Sequence, residues 1–182
     1  MENFTVPTRE EVSTNNQGIF DNLKSQVGFV PNLYATMAYS DSALGGYLAF
    51  QGSKTSLSNK EKEVVNLIVS EVNGCKYCQS AHTSIGKMNG FTEEQTIELR
   101  QGSASWDAKY DALVKLAKEV TEFKGNVNSE TLDNFFAASY NKGTLVDVIK
   151  LVGDKVVMNY LHNLTNIPID FPIAKELELV NQ

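Results

Sequence analysis

Apolar residues recur every three to four positions through most of this chain, while sustained alternation with period two is hard to find. A chain patterned this way must bury helical stripes against one another, so the expected fold class is all-α, a bundle built on helix hairpins. Breakers divide it. A first helix is expected from Gln17 to Val27, closed by Gly28 and Pro31, and a short second one begins at Leu33, Tyr34 and Met37. Ala43 to Gly52 is apolar but carries Gly45-Gly46, which weakens an isolated helix.

Two capping boxes follow. Ser58-Asn-Lys-Glu61 opens a helix that should bury Val64, Val65, Leu67, Ile68 and Val72 and end at Asn73-Gly74, and Thr92-Glu-Glu-Gln95 opens a shorter one to about Arg100. Further periodic segments run from Trp106 through Val120, around Leu132 to Ser139, and from Leu145 to about Leu164. The Ile167-to-Pro172 tail should then lie over the surface or a neighbouring subunit. With 182 residues and 42% hydrophobic content the chain suits a single domain, 1–182, with a polar N-terminal arm over 1–16 and a C-terminal tail over 166–182.

Charge and motifs narrow the function. A formal net charge of −6 disfavours a nucleic-acid surface, which would present a basic stripe. No stretch approaches membrane-spanning length, the first residues lack a basic and apolar leader pattern, and there is no Gly-rich phosphate loop, so a cytoplasmic protein with no membrane partner is expected.

The only two cysteines stand as Cys75-Lys-Tyr-Cys78-Gln-Ser-Ala-His82, directly after the first capped helix, within a segment 58–90 that also carries Glu63 and Glu71. In a helix, Cys75, Cys78 and His82 share one stripe, and a helix N-terminus favours thiolate over thiol. Redox-active dithiol, zinc ligands completed by His162 or a carboxylate, a structural disulfide and inert packed cysteines are all compatible with the spacing. Clustered acid-base groups and the reducing compartment weigh towards redox chemistry.

If the capped helix and the cysteine helix run antiparallel about Asn73-Gly74, the helical rise of ~1.5 Å per residue puts Glu63 level with His82 and Glu71 near the thiols. The expected order is Glu63, His82, then Cys78: a carboxylate orients the imidazole and the imidazole takes the thiol proton. His162 is expected to be a packed residue outside the catalytic set. Trp106, Tyr47, Phe50, Phe135 and Phe136 are expected in the core or an interface, some of them at an apolar substrate entrance.

Glu63 twelve residues before Cys75, the run Ser70-Glu71-Val-Asn-Gly-Cys75-Lys-Tyr-Cys78-Gln-Ser-Ala-His82, and Gly90 resemble the AhpD-like alkylhydroperoxidase group of the carboxymuconolactone decarboxylase superfamily. Val27 to Tyr34 and Asn163 to Pro172 are similar to its peroxidase-related subgroup, so the resemblance covers most of the chain. One position departs: AhpD proper has a His where this chain has Tyr77. The resemblance implies a homo-oligomer (trimer, hexamer or dimer) that reduces alkyl or hydrogen peroxide. It implies Cys78 as the sulfur oxidised, Cys75 as proton donor and resolving thiol, and regeneration by an external dithiol such as a lipoyl protein or a thioredoxin-like donor. No metal, haem, flavin or other cofactor is required. A thiol-disulfide oxidoreductase and a non-catalytic redox-responsive protein are the alternatives.

Overall fold

The computed structural model describes residues 4–177; positions 1–3 of the expected arm and 178–182 of the expected tail lie outside the described residues. Among the described residues there is no strand. After a 3-10 turn at Arg9–Glu11, the helices are α1 Thr14–Val27, α2 Asn32–Met37, α3 Ala43–Gln51, α4 Asn59–Val72, α5 Lys76–Met88, α6 Glu93–Gln101, α7 Ala108–Glu122, α8 Ser129–Ala137 and α9 Lys142–Thr165. None of them is long and apolar enough to cross a membrane.

α4 is the axis of the fold, packing against α5, α6, α7 and α9. Its Val64, Val65, Leu67 and Ile68 are all but fully buried, each stabilising the fold by roughly 1.5–3 kcal/mol relative to exposure. Leu113, Val114, Leu116 and Ala117 of α7 face them, and Phe135 of α8 stacks on Tyr140 with centroids 4.5 Å apart. A helix surrounded on so many sides leaves little room for polar groups. Even so, Glu63, Asn66 and Ser70 are buried on one stripe of it.

Several boundaries differ from the sequence expectation for local reasons. α1 begins at Thr14, ahead of the expected Gln17, because Ser13 caps it through Asn16 N–H and the buried Asn16 amide donates to the Ala38 and Ser40 carbonyls at 3.1 and 3.0 Å. α9 begins at Lys142 because Asn141 is its N-cap, so Asn141-Lys-Gly143 starts the helix instead of preceding it. Gly45 and Gly46 sit inside α3 without breaking it. Phe50 is 43% exposed, whereas Phe135 is in the core, Trp106 packs against it, and Tyr47 is buried beside the cysteines.

The tail crosses the chain's own surface. Asp170 accepts from Tyr77 O–H at 2.6 Å and from Asn32 N–H at 2.7 Å, and Ala174 N–H donates to Ser80 Oγ at 3.1 Å. The tail and the start of α2 are thereby pinned against the N-terminal half of α5.

Candidate active site

The turn between α4 and α5 delivers the first sulfur. Gly74, at φ 65°, takes the left-handed conformation, with Cys75 N–H donating to the Ser70 carbonyl and Gly74 N–H to the Glu71 carbonyl. This closed turn leaves no linker, so Cys75 is itself the N-cap of α5. Its Sγ accepts from Cys78 N–H at 3.2 Å, where serine or aspartate oxygen usually sits. Both cysteines are free thiols; Cys75 is wholly buried and Cys78, 3% exposed, lines a cavity.

Farther along the hairpin Glu63 and His82 meet as the helical rise predicts. His82 Nδ1 lies 2.8 Å from Glu63 Oε2, and Asn66 Nδ2 donates to Glu63 Oε1 at 2.9 Å. Burial pushes the Glu63 carboxyl up, but His82, Asn66 and Lys155 outweigh it and hold the group below the usual carboxylate range.

The last step of the expected order differs. His82 Nε2 faces the Lys155 ammonium at 3.3 Å, and among the described residues no hydrogen bond joins His82 to Cys78. An ammonium has only protons to donate, so Nε2 accepts, the ring proton sits on Nδ1, and it is donated to Glu63. Burial works against the Lys155 charge, yet Asp154, Cys78, Tyr34 and Glu63 together hold its pKa above the ordinary lysine value. Asp154 Oδ2 lies 3.4 Å away.

α9 therefore supplies part of the site, from a stripe of which the sequence reading weighed only His162, as a packed residue outside the catalytic set. Lys155, Asn159 and His162 recur at helical spacing and are all buried. Asn159 bonds Asn73 Nδ2 through its Oδ1 at 2.9 Å and Ser70 Oγ through its Nδ2 at 3.5 Å, which holds α9 on the hairpin turn. His162 donates from Nε2 to the Ile167 carbonyl at 3.2 Å, its Nδ1 is buried with no hydrogen-bond partner, and its ring stands beside Cys75. A signal was available: three polar side chains at helical spacing inside a long, otherwise apolar helix must be partnered if buried.

The two sulfurs share one proton unequally. The Cys78 S–H pointing at it, His162 and the Cys78 N–H pull the Cys75 thiol down to about 5 in spite of burial. The hydrogen bond that its S–H gives to Cys75, then burial and the negative charge on Cys75, push Cys78 up, with Lys155 and Asn159 pulling the other way. Glu71 is not among these groups. Its carboxylate is held by the buried Arg100 guanidinium at 2.7 Å, and Arg100 also donates to the Lys175 carbonyl at 2.7 Å. Among the described residues no three His, Cys, Asp or Glu side chains converge to hold a metal ion.

The cavity beside Cys78 has a volume of about 510 Å³. Its walls are mainly apolar and aromatic, with Tyr34, Tyr47, Tyr77 and Phe171 among them. Its polar lining includes Glu63, His82, Asp154 and Lys155, and the exposed Val27, Phe29 and Met88 form its rim.

The comparisons agree with this architecture. The carboxymuconolactone decarboxylase family profile matches residues 37–120. An AhpD-core, peroxidase-related protein from Ralstonia eutropha JMP134 superimposes with a TM-score of 0.82 at 17% identity, over 92% of this chain and 91% of that one. A peroxidase-related protein from Silicibacter sp. TM1040 gives 0.79 at 20% identity, over 90% and 88%. The debrominase Bmp8, in complex with 2,3,4-tribromopyrrole, gives 0.75 at 14% identity, over 93% of each chain. No curated protein matches the sequence. The matched segment contains the cysteine motif, and the helical fold around it is the one these AhpD-like structures share.

Proposed function

We propose that this protein is a thiol-dependent peroxidase of small organic or hydrogen peroxides, with Cys78 oxidised first and Cys75 closing the disulfide. The carrying observation is a cavity-lining thiol one helical turn from a buried, ionised partner sulfur, with a charged acid-base group on the cavity wall. A dithiol peroxide cycle can use all three: the thiol as nucleophile, the partner sulfur as its base and then the resolving group, and the charged group beside the departing oxygen. Cys78 thiolate attacks the O–O bond and becomes a sulfenic acid, and Cys75 condenses with it to release water. Glu63 and His82 belong to the site as the pair that holds its proton-bearing groups in place.

An external dithiol restores the pair by exchange. Because neither sulfur reaches the outer surface, the burial favours a slender dithiol on a flexible arm, as in a lipoyl protein, over the broad face of a thioredoxin-like donor. The family implies a homo-oligomer. Val146, Ile149, Val157, Tyr160 and Leu164 support one, as an exposed apolar stripe along α9 on the face away from the site. The aromatic cavity wall also favours a second reading, reductive dehalogenation of a small aromatic ring, and bromide release from 2,3,4-tribromopyrrole tests it.

Stopped-flow consumption of cumene hydroperoxide by the reduced protein tests the main reading. Wild type should consume one equivalent in a fast phase that Cys78→Ser abolishes; an unchanged fast phase in that variant would contradict it.

A further inference from the structure

We propose that Lys155 is the catalytic acid of this site, donating the proton that lets the alkoxide leave when the O–O bond breaks. The role rests on the peroxidase reading and adds to it a group outside the cysteine motif.

Cleavage of an alkyl hydroperoxide by a thiolate produces an alkoxide, a poor leaving group that needs a proton in the transition state. His82 cannot supply it. Nδ1–H is committed to Glu63 at 2.8 Å, and Nε2 holds a lone pair towards Lys155 at 3.3 Å. Cys75 cannot supply it either, because its proton is needed at the next step and its sulfur does not line the cavity. Lys155 remains. Its side chain is 5% exposed, it lines the same cavity as Cys78, and of its three N–H donors one is spent on His82 while Asp154 Oδ2 stands at 3.4 Å. A buried ammonium with donor capacity left is a stronger acid than the alcohol an alkoxide becomes, so it can protonate that oxygen within the cavity it shares with the sulfur.

The steps balance. A proton passes from Cys78 S–H to the Cys75 thiolate. Cys78 S⁻ then forms an S–O bond as the O–O bond breaks; sulfur loses two electrons, the peroxide gains them, and Lys155 gives its proton to the departing oxygen to release an alcohol. Cys75 S–H and the Cys78 sulfenic acid next form the disulfide and water. When a dithiol donor reduces that disulfide, two thiol protons arrive. One stays on Cys78, and the other returns to Lys155 as Cys75 reverts to thiolate. Glu63 and His82 act through Lys155 and are positioning residues.

The test compares two oxidants that differ in leaving group. Perbenzoic acid releases a carboxylate, which departs without a proton, whereas cumene hydroperoxide releases an alkoxide. In Lys155→Met, loss of the ammonium also makes Cys78 harder to ionise, but that penalty falls on both oxidants and cancels in the ratio of their second-order rate constants. The ratio of perbenzoic acid to cumene hydroperoxide should rise about 100-fold or more over wild type, the scale of a lost general acid. Remaining perbenzoic acid turnover reports that the variant is folded, and Lys155→Gln gives the same ratio if the methionine variant does not fold. A ratio unchanged from wild type would overturn the role. A wild type inert towards both oxidants would overturn the peroxidase reading, and this role with it.

Discussion

A cysteine at a helix N-cap accepts hydrogen bonds through sulfur, and here the bond from the neighbouring thiol weighs most in which sulfur carries charge. The Cys78 S–H, then His162, the Cys78 N–H and the helix end favour the anion at Cys75 against burial, so it ionises at about 5 while its neighbour is pushed up. Thiolate absorbance of the reduced protein should therefore appear with a midpoint near 5, and Cys78→Ala, which removes the S–H donor, should move that midpoint upward. A single midpoint at the ordinary thiol value would contradict this. The same group links stability to pH. Its folded value lies below its unfolded one, so between about 5 and about 9 the unfolded chain binds the extra proton. Stability of the reduced form should rise with pH across that window and fall away as pH drops through 5. The disulfide form, with no thiol to titrate, should lack this slope in chemical denaturation.

At the scale of elements, the legible part of the site was the part contained in one hairpin. Capping at Ser58, the Asn73-Gly74 stop and a fixed rise per residue are local, and they put Glu63 level with His82 before any tertiary contact is known. Lys155, Asn159 and His162 come from α9, whose crossing against α5 depends on long-range packing that no local spacing encodes. The direction of Glu71, a possible support of the site that helical rise alone leaves open, has the same origin: its side chain turns to Arg100 of α6, a partner 29 residues on. Glu71 thus fastens α4 to α6 and, through the Lys175 carbonyl, to the tail. Glu71→Gln leaves the Arg100 charge, itself 3% exposed, without its counter-ion. Because Glu71 is partly exposed, the loss should be about 1–3 kcal/mol in urea unfolding, with the fast peroxide phase retained. A variant that keeps full stability and loses the peroxide phase would put Glu71 in the chemistry after all.

At the scale of the molecule, the fold works as a clamp around one buried polar seam. α4 and α5 carry the motif, α9 closes over it with its inner face, and the tail locks the entrance side through Asp170, Tyr77 and Asn32. The outer face of the same α9 is apolar and exposed, which leaves a helix used on both sides. If a second copy covers that face, Val157→Glu should reduce the mass seen by light scattering to that of one chain while the thiolate midpoint stays near 5; an unchanged mass would contradict α9 as the contact. The all-α class and single domain followed from periodicity and length alone. The path of the tail did not, because Ile167-to-Pro172 has no period and its place depends on the Tyr77 hydroxyl and the Asn32 amide it meets.

Mass spectrometry after one equivalent of cumene hydroperoxide, with a sulfenic-acid trap present, tests the account most directly. It predicts trapping on Cys78 in Cys75→Ser and an untrapped Cys75–Cys78 disulfide in the wild type. Trapping on Cys75, or two unmodified thiols after the peroxide is gone, would contradict it.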